Sequence, residues 1–323
     1  MYEYAYSFQL HGDGVPLLVY FENNEERFCY IVMQKDISES IHFAGVLSRG
    51  TYYDWETPYG YGGPLSDSLI STQSQCLFKR ELTAYCLQNG IVTQFVRFHP
   101  LFQNQNILPL VIESKCLRET VYIDTTDKDS IMKNMDSKNR NMVRKAIKSG
   151  VTISKSSIEN IDRFIEIYNA TMERNSADTY YIFDKAYFSS LERLKDNSAI
   201  FYANFEGKPI AASIIFFNEK YLHYHLSGSF SDFRKYSPSN LLLYEIACWA
   251  NDNKMLYFHL GGGMTANDSL FGFKKQFNKN GYLPFVVGRT VFDRRSYDEL
   301  LDIRYKLSND FDRNNGFMIQ YRR

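Results

Sequence analysis

The sequence predicts a mixed α/β protein made of two units, each organised around its own mixed sheet. Its 323 residues exceed one ordinary domain, and 44% hydrophobic with 23% charged residues describes a globular chain with a substantial core. Short β-rich runs alternate with segments of helical period, and this alternation starts afresh near residue 125. The expected units are residues 1–125 and 126–292, followed by a terminal segment, 293–323.

In the first unit Val15–Phe21 and Arg27–Met33 read as strands, separated by the turn-prone "ENNEE". "TPYGYGGPL" (Thr57–Leu65) breaks any regular element, with two prolines and three glycines in nine positions. Ser66–Asn89 then has helical spacing, with Leu77, Phe78, Leu82, Tyr85 and Cys86 on one face. "GIVTQFVRFHPL" is a strand beginning after Gly90, and Glu119–Thr125 is another.

The second unit opens with one basic helix, Asp127–Ser149, stopped by Gly150 at the usual C-terminal position. A strand (Val151–Ser154) and helices at Ile158–Asn175 and Asp184–Asp196 follow. Ala199–Phe205, Pro209–Phe217 and Tyr221–Ser227 are three antiparallel strands joined at "EGK" and "NEK". Ser237-Pro238 marks a helix start, Ser as N-cap and Pro at the first helical position, and that helix runs to Asn253. Met255–Leu260 is a strand, a glycine loop follows, Asp268–Asn278 is a short helix, "GYLPFVVGRTVF" supplies one or two strands, and Ser296–Asn309 is the last helix.

Composition narrows the function classes. Lys plus Arg and Asp plus Glu are both 37, which argues against bulk electrostatic capture of nucleic acid or an anionic membrane and leaves local patches open. The 25 Tyr and 25 Phe suit either partly polar clefts or ordinary sheet packing. Cys29, Cys76, Cys86, Cys116 and Cys248 are odd in number, form no Cys-x-x-Cys pair and have apolar neighbours, so buried thiols in a reducing compartment are expected. The first residues lack a basic and an apolar signal region, and no apolar run reaches the roughly 18 to 20 residues that span a bilayer. A cytoplasmic protein, at most peripheral to a membrane, is the expectation. No nucleophile elbow, Walker loop or Rossmann fingerprint occurs, so nucleotide hydrolysis and serine-nucleophile chemistry lack support.

Several constellations are compatible with binding. The helix start at Ser237, Ser239 and Asn240 presents unpaired N–H groups to a phosphate or carboxylate, or is simply a capped helix. "KNRNMVRKAIKSG" puts Arg140 and Arg144 four apart, either gripping a polyphosphate or RNA backbone or forming a solvated basic face. In "YLHYHLSGS" His223 and His225 share one face; no third ligand is evident, so no metal is expected. His225, beside Ser227, reads as a substrate hydrogen-bonding residue or as a structural histidine.

The element order of the second unit resembles the Gcn5-related N-acetyltransferase fold. There one strand ends at a splayed opening and the next helix offers its N-terminus to an anion. Coenzyme A-dependent members carry a glycine-containing pyrophosphate signature at that helix. The matching "RKYSPSN" has no glycine, and side chains there obstruct close approach.

"HLGGG" followed by "DSLFGFKKQF" resembles the C-terminal signature of the FemABX family of peptidyl- and aminoacyl-transferases. "TPYGYGGPL", "KNRNMVRKAIKSGV", "KPIAASIIFF" and "YHLSGS" resemble further blocks of that family, and of its acyltransferase relatives from surface-polysaccharide loci, in the expected order over residues 50–290. The resemblance implies two tandem Gcn5-related N-acetyltransferase-like domains with a cleft between them, and a C-terminal segment from Asp293 packing back on the first. No heptad stretch matches the coiled-coil arm of some members, so no arm is expected. The best-known members move an amino acid from aminoacyl-tRNA to the peptide amine of a peptidoglycan precursor.

Roles follow from the resemblance and from the needs of acyl transfer to an amine. Gly261, Gly262 and Gly263 would let substrate approach the strand end. Lys274, expected on the first turns of the following helix, would stabilise the tetrahedral oxyanion or a nearby phosphate. Lys275 points about 100° away into solvent, and Asp268 serves as N-cap. Tyr59, Tyr61 and Gly62 either line the acceptor cleft or form a tight loop closing the N-terminal sheet.

The expected function is acyl or aminoacyl transfer to an amine of a cell-wall or surface-glycan precursor, by direct attack of that amine and without a permanently bound cofactor. Aminoacyl-tRNA is the expected donor, given the basic helix and the missing coenzyme A signature. The alternatives are an acyl-CoA-dependent N-acetyltransferase acting on an amino sugar and a non-catalytic module that binds a glycan or a protein partner. The oligomeric state is not legible.

Overall fold

In the computed structural model, which describes residues 2–265, 267–308 and 310–323, the β-rich runs form hydrogen-bonded strands. The chain divides into one unit of Met1–Leu117 with Phe285–Arg323 and a second of Arg118–Pro284. These boundaries lie earlier than residues 125 and 292, because each falls inside a long strand rather than in a turn.

The first unit begins with α1 (Tyr2–Leu10), which the alternating tyrosines disguise; Ala5 and Phe8, three apart and fully buried, fix its inner face. Strands β1 (Val15–Asn23), β2 (Glu26–Asp36) and β3 (Tyr53–Glu56) pair antiparallel in that order, and the short β4 (Leu65–Ser66) also joins β2. Helix α2 (Thr72–Gln88) starts later than Ser66 because Ser71 caps it, its hydroxyl accepting the Ser74 N–H at 3.2 Å. Of the predicted face, Phe78, Leu82 and Cys86 are buried, Leu77 is half-buried and Tyr85 is exposed. β5 (Ile91–Arg97) pairs parallel with β3, and β6 (Glu113–Asp124) leads into the second unit.

The long basic helix predicted at 127–149 is two helices, α3 (Lys128–Asn134) and α4 (Ser137–Lys148). The break falls at Asp136, whose backbone is extended and whose N–H is taken by the Gln276 carbonyl at 2.9 Å, so the ladder cannot continue. Gly150 then ends α4 with φ 84°. β7 (Thr152–Ser156), α5 (Asp162–Arg174) and α6 (Lys185–Ser190) precede the meander β8 (Ser198–Phe205), β9 (Lys208–Phe217) and β10 (Tyr221–Ser229). α7 (Pro238–Asp252) returns the chain to β11 (Tyr257–Gly261), parallel to β10 and antiparallel to β6. α7 covers one face of this sheet with Leu241, Leu242, Ile246 and Ala250, and α5 covers the other.

α8 (Ser269–Lys275) and β12 (Tyr282–Val291) follow; β12 re-enters the first unit and pairs antiparallel with β5. α9 (Arg294–Leu307) packs Tyr297, Leu300 and Leu301 with Val92, Phe43 and Tyr321 in the first unit's second core. The end predicted for this helix, Asn309, lies outside the described residues. Among the described residues, no helix is long and apolar enough to cross a membrane. Two cysteine expectations are corrected: Cys76, on the outer face of α2, and Cys116, in the exposed stretch of β6, lie at the surface, whereas Cys86 and Cys248 are buried.

The contact of α5 with β10 is close enough to require a glycine. A Cβ on Gly228 would lie 2.6 Å from the Ile167 carbonyl oxygen. Gly228→Ala is therefore expected to cost about 1–3 kcal/mol through a forced shift of α5. Urea unfolding should show a lower midpoint at unchanged slope, and an unchanged midpoint would mean that α5 yields freely.

Candidate active site

The second unit's sheet opens in its middle. β10 and β11 pair for three rungs, Tyr221–His223 with Tyr257–His259, and beyond these β10 runs on to Ser229 without its neighbour. β11 is turned away two residues later by Gly261, whose φ is 75°. At the last rung the imidazoles of His223 and His259 face each other, Nδ1 to Nδ1 at 3.2 Å, and His259 Nε2 meets the Thr120 hydroxyl at 3.0 Å.

Lys274 lies beside this opening. It stands in the last turn of α8, not on the first turns, because that helix is only seven residues long. The side chain is 7% exposed, and its Nζ donates to the Gly262 carbonyl at 2.7 Å. The same ammonium lies 5.5 Å from the centroid of the Tyr224 ring. Burial brings its pKa down to about 7; Asp268 works against that shift and Arg118 adds to it. Lysine 275 is exposed and lies over the Tyr282 ring instead.

The glycine loop is shaped from within. Asp268 caps α8, accepting the Phe271 N–H at 2.8 Å, and also accepts the N–H groups of Met264 and Thr265 at 2.6 and 2.9 Å. A Cβ on Gly263 would lie 2.1 Å from the Asp268 carboxylate, and one on Gly262 would lie 2.9 Å from the Glu119 carbonyl. The absence of side chains at Gly262 and Gly263 is thus required by the loop's own packing.

On β10, Tyr224 donates its hydroxyl hydrogen bond to Ser227, and Ser227 faces the buried Ser213 across the β9 register. His225 contacts the Tyr187 hydroxyl at 2.8 Å and packs on Phe216, and burial lowers its pKa to about 3. Burial thus favours its neutral form. Among the described residues, no group of three or more His, Cys, Asp or Glu is placed to hold a metal ion.

The α7 start departs from an ordinary cap. Ser237 takes the left-handed conformation, φ 55°, and its hydroxyl donates to the Met142 sulfur at 3.2 Å instead of capping the helix. Asn240 donates to Asn139 Oδ1 at 2.7 Å, which ties α7 to α4, while Ser239 remains half-exposed. Arg140 is spent on the Met135 carbonyl, whereas Arg144 is exposed along with Lys138, Lys145 and Lys148.

Tyr59, Tyr61 and Gly62 belong to the first unit. The Tyr59 carbonyl accepts the Tyr4 hydroxyl at 2.7 Å, Tyr61 packs edge-on against Phe285, and the Gly62 N–H binds the Arg97 carbonyl at 2.7 Å. Their loop closes on β5, and His99, at the end of that strand, stacks on Phe102 next to Tyr61. The sequence reading missed Tyr224 and Arg118. Strand alternation places Tyr224 on the face opposite the two histidines, and Arg118, which donates to the Met264 carbonyl, carries no local motif.

Residues 134–275 match the model of an acetyltransferase (GNAT) domain, a span that includes the opening between β10 and β11 and ends just past Lys274. The match falls within the second unit. The crystal structure of FemX is similar over 92% of this chain and 92% of its own, with a TM-score of 0.67 at 12% identity. The C-terminal domain of a putative lysylphosphatidylglycerol synthetase from Agrobacterium fabrum gives 0.58 at 13% identity, covering 94% of this chain and 90% of that one. L-PGS from Bacillus licheniformis gives 0.56 at 12% identity, covering 94% and 95%. At such identities the likeness is one of fold, and it is the two-domain fold expected from the FemABX resemblance. No curated protein matches the chain in sequence.

Proposed function

We propose that the protein transfers an acyl or aminoacyl group to an amine of a cell-wall or surface-glycan precursor, with Lys274 as its oxyanion-stabilising residue. The observation that carries this reading is a buried ammonium beside the opening of an acetyltransferase-type sheet, with one N–H on the Gly262 carbonyl. An ammonium has three donors, and among the described residues one of them is taken, by the Gly262 carbonyl. In the reaction the acceptor amine attacks the donor's carbonyl carbon and a C–N bond forms. The carbonyl oxygen becomes an oxyanion, which Lys274 stabilises. Collapse breaks the C–O or C–S bond; the nitrogen loses a proton and the leaving oxygen or sulfur gains one. No enzyme nucleophile is needed.

Aminoacyl-tRNA is the donor that the surface favours. Lys138, Arg144, Lys145 and Lys148 form an exposed basic face on α4, and the α7 start offers no glycine for a pyrophosphate. The match to an acetyltransferase domain favours a second reading, an acyl-CoA-dependent N-acetyltransferase of an amino sugar. Calorimetric titration with coenzyme A, acetyl-CoA and an aminoacyl-tRNA acceptor-stem mimic separates them. Binding of the RNA mimic alone is expected, with a salt dependence whose slope Arg144→Ala lowers by about one. Micromolar coenzyme A binding that Ser239→Glu abolishes would instead establish the second reading. Silence from every donor would overturn both and leave a non-catalytic module.

A further inference from the structure

The loop after β11 has no regular structure of its own, yet its Gly262 carbonyl is the hydrogen-bond acceptor that orients Lys274. Two charged side chains hold that loop from opposite sides. Asp268 gathers the N–H groups of Met264 and Thr265 on one carboxylate oxygen and caps α8 with the other. Arg118, reaching from β6, takes the Met264 carbonyl. One residue, Met264, thus has its N–H on an anion and its C=O on a cation.

We propose that Asp268 and Arg118 are positioning residues of the Lys274 site, clamping residues 262–265 so that the Gly262 carbonyl stays on the lysine ammonium. This rests on the role given to Lys274 above, but the clamp is a statement about this chain alone. The two residues act on the lysine with opposite sign. Asp268 favours the protonated ammonium and Arg118 opposes it. Of the other groups near Lys274, Tyr224 presents its ring from β10, and Lys275, on the same helix, is directed to Tyr282. The pair therefore sets both where the ammonium sits and how firmly it keeps its proton, as a site that must present a cation near neutral pH requires.

The test is an NMR titration of protein labelled with [ε-13C]lysine, with the Lys274 signal assigned from its loss in Lys274→Met. Asp268→Asn is expected to lower the Lys274 midpoint, and Arg118→Gln to raise it, each by about 0.5–1 pH unit. Asp268→Ser, which keeps a helix cap but not the charge, should shift it as Asp268→Asn does. Acyl transfer in the Asp268 variants should fall at pH 7 by roughly two- to fivefold and recover at lower pH. Midpoints unmoved in all three variants, with only thermal stability reduced, would overturn the proposal and leave Asp268 a helix cap. Shifted midpoints together with a Lys274→Met protein of normal activity would keep the clamp and refute the catalytic role of the lysine.

Discussion

Lys274→Met is expected to reduce acyl transfer by roughly two to three orders of magnitude while making the protein harder to unfold at neutral pH. The first effect follows from removing the ammonium donor at the oxyanion. The second follows from the site's cost: Lys274 is 7% exposed, and its buried ammonium, held by the Gly262 carbonyl, is poorly compensated. Unfolded, the lysine keeps its proton up to about pH 10.4. In the folded chain, burial brings it down to about 7. The unfolded state therefore binds more protons across that window, and wild-type stability rises with pH from about 7 to about 10. Below that window the penalty is constant and complete. Methionine fills a similar volume without charge, so a gain of about 1–4 kcal/mol is expected at pH 6.5, after the lost hydrogen bond to Gly262. The gain should shrink towards pH 10. Denaturant unfolding of both proteins at the two pH values checks this. A variant less stable at both, with turnover intact, would show a structural lysine.

The largest loss of stability is expected at the other end of the chain. Arg322 donates from Nε to Asp54 at 2.9 Å and from Nη1 to Glu56 at 3.1 Å, and Glu56 also accepts from Arg97 at 3.2 Å. Asp54 is 5% exposed and accepts further from Thr93 at 2.6 Å and from Tyr321. Burial opposes the Glu56 charge, but Arg97, Arg322 and Lys35 outweigh it and hold its carboxyl below the ordinary value. Arg322→Met leaves two inward carboxylates short of a cation, beside a pocket of about 330 Å³ lined by Lys35, Ile37, Phe43 and Tyr321. A cost of about 3–5 kcal/mol is expected. The Glu56 part of that stability is present above the unfolded carboxylate's pKa, near 4.3, and is lost as pH falls through the folded value. The difference between wild type and variant should thus narrow below about pH 4. Equal urea midpoints at pH 7 would contradict a structural role for the C-terminus.

Legibility followed the range of the forces involved. β8, β9 and β10 were readable because alternation and the turn residues Gly207 and Asn218 are local signals. The cap of Asp268 was readable for the same reason. The break at Asp136 was not, because the Gln276 carbonyl that takes its N–H is far along the chain. Tyr85 looked like core from spacing alone but lies on the rim of the face that Phe78 and Leu82 bury. Ser237 looked like a cap from the Ser-Pro pair, yet its hydroxyl donates to the sulfur of Met142, a residue far back along the chain. Lys274 was singled out through its motif, whereas the contacts of Tyr224, Ser213 and Arg118 run between strands and loops, which single-sequence patterns do not carry.

The most direct test of the central claim uses hydroxylamine as a small surrogate acceptor. Purified protein is given an aminoacyl-tRNA or acetyl-CoA, and the rate of hydroxamate formation above the uncatalysed background is measured for wild type and Lys274→Met. Wild type is predicted to form the aminoacyl hydroxamate from the tRNA donor, with the lysine variant folded and roughly 100- to 1,000-fold slower. Equal rates for the two folded proteins, or no rate above background with either donor, would contradict acyl transfer at Lys274.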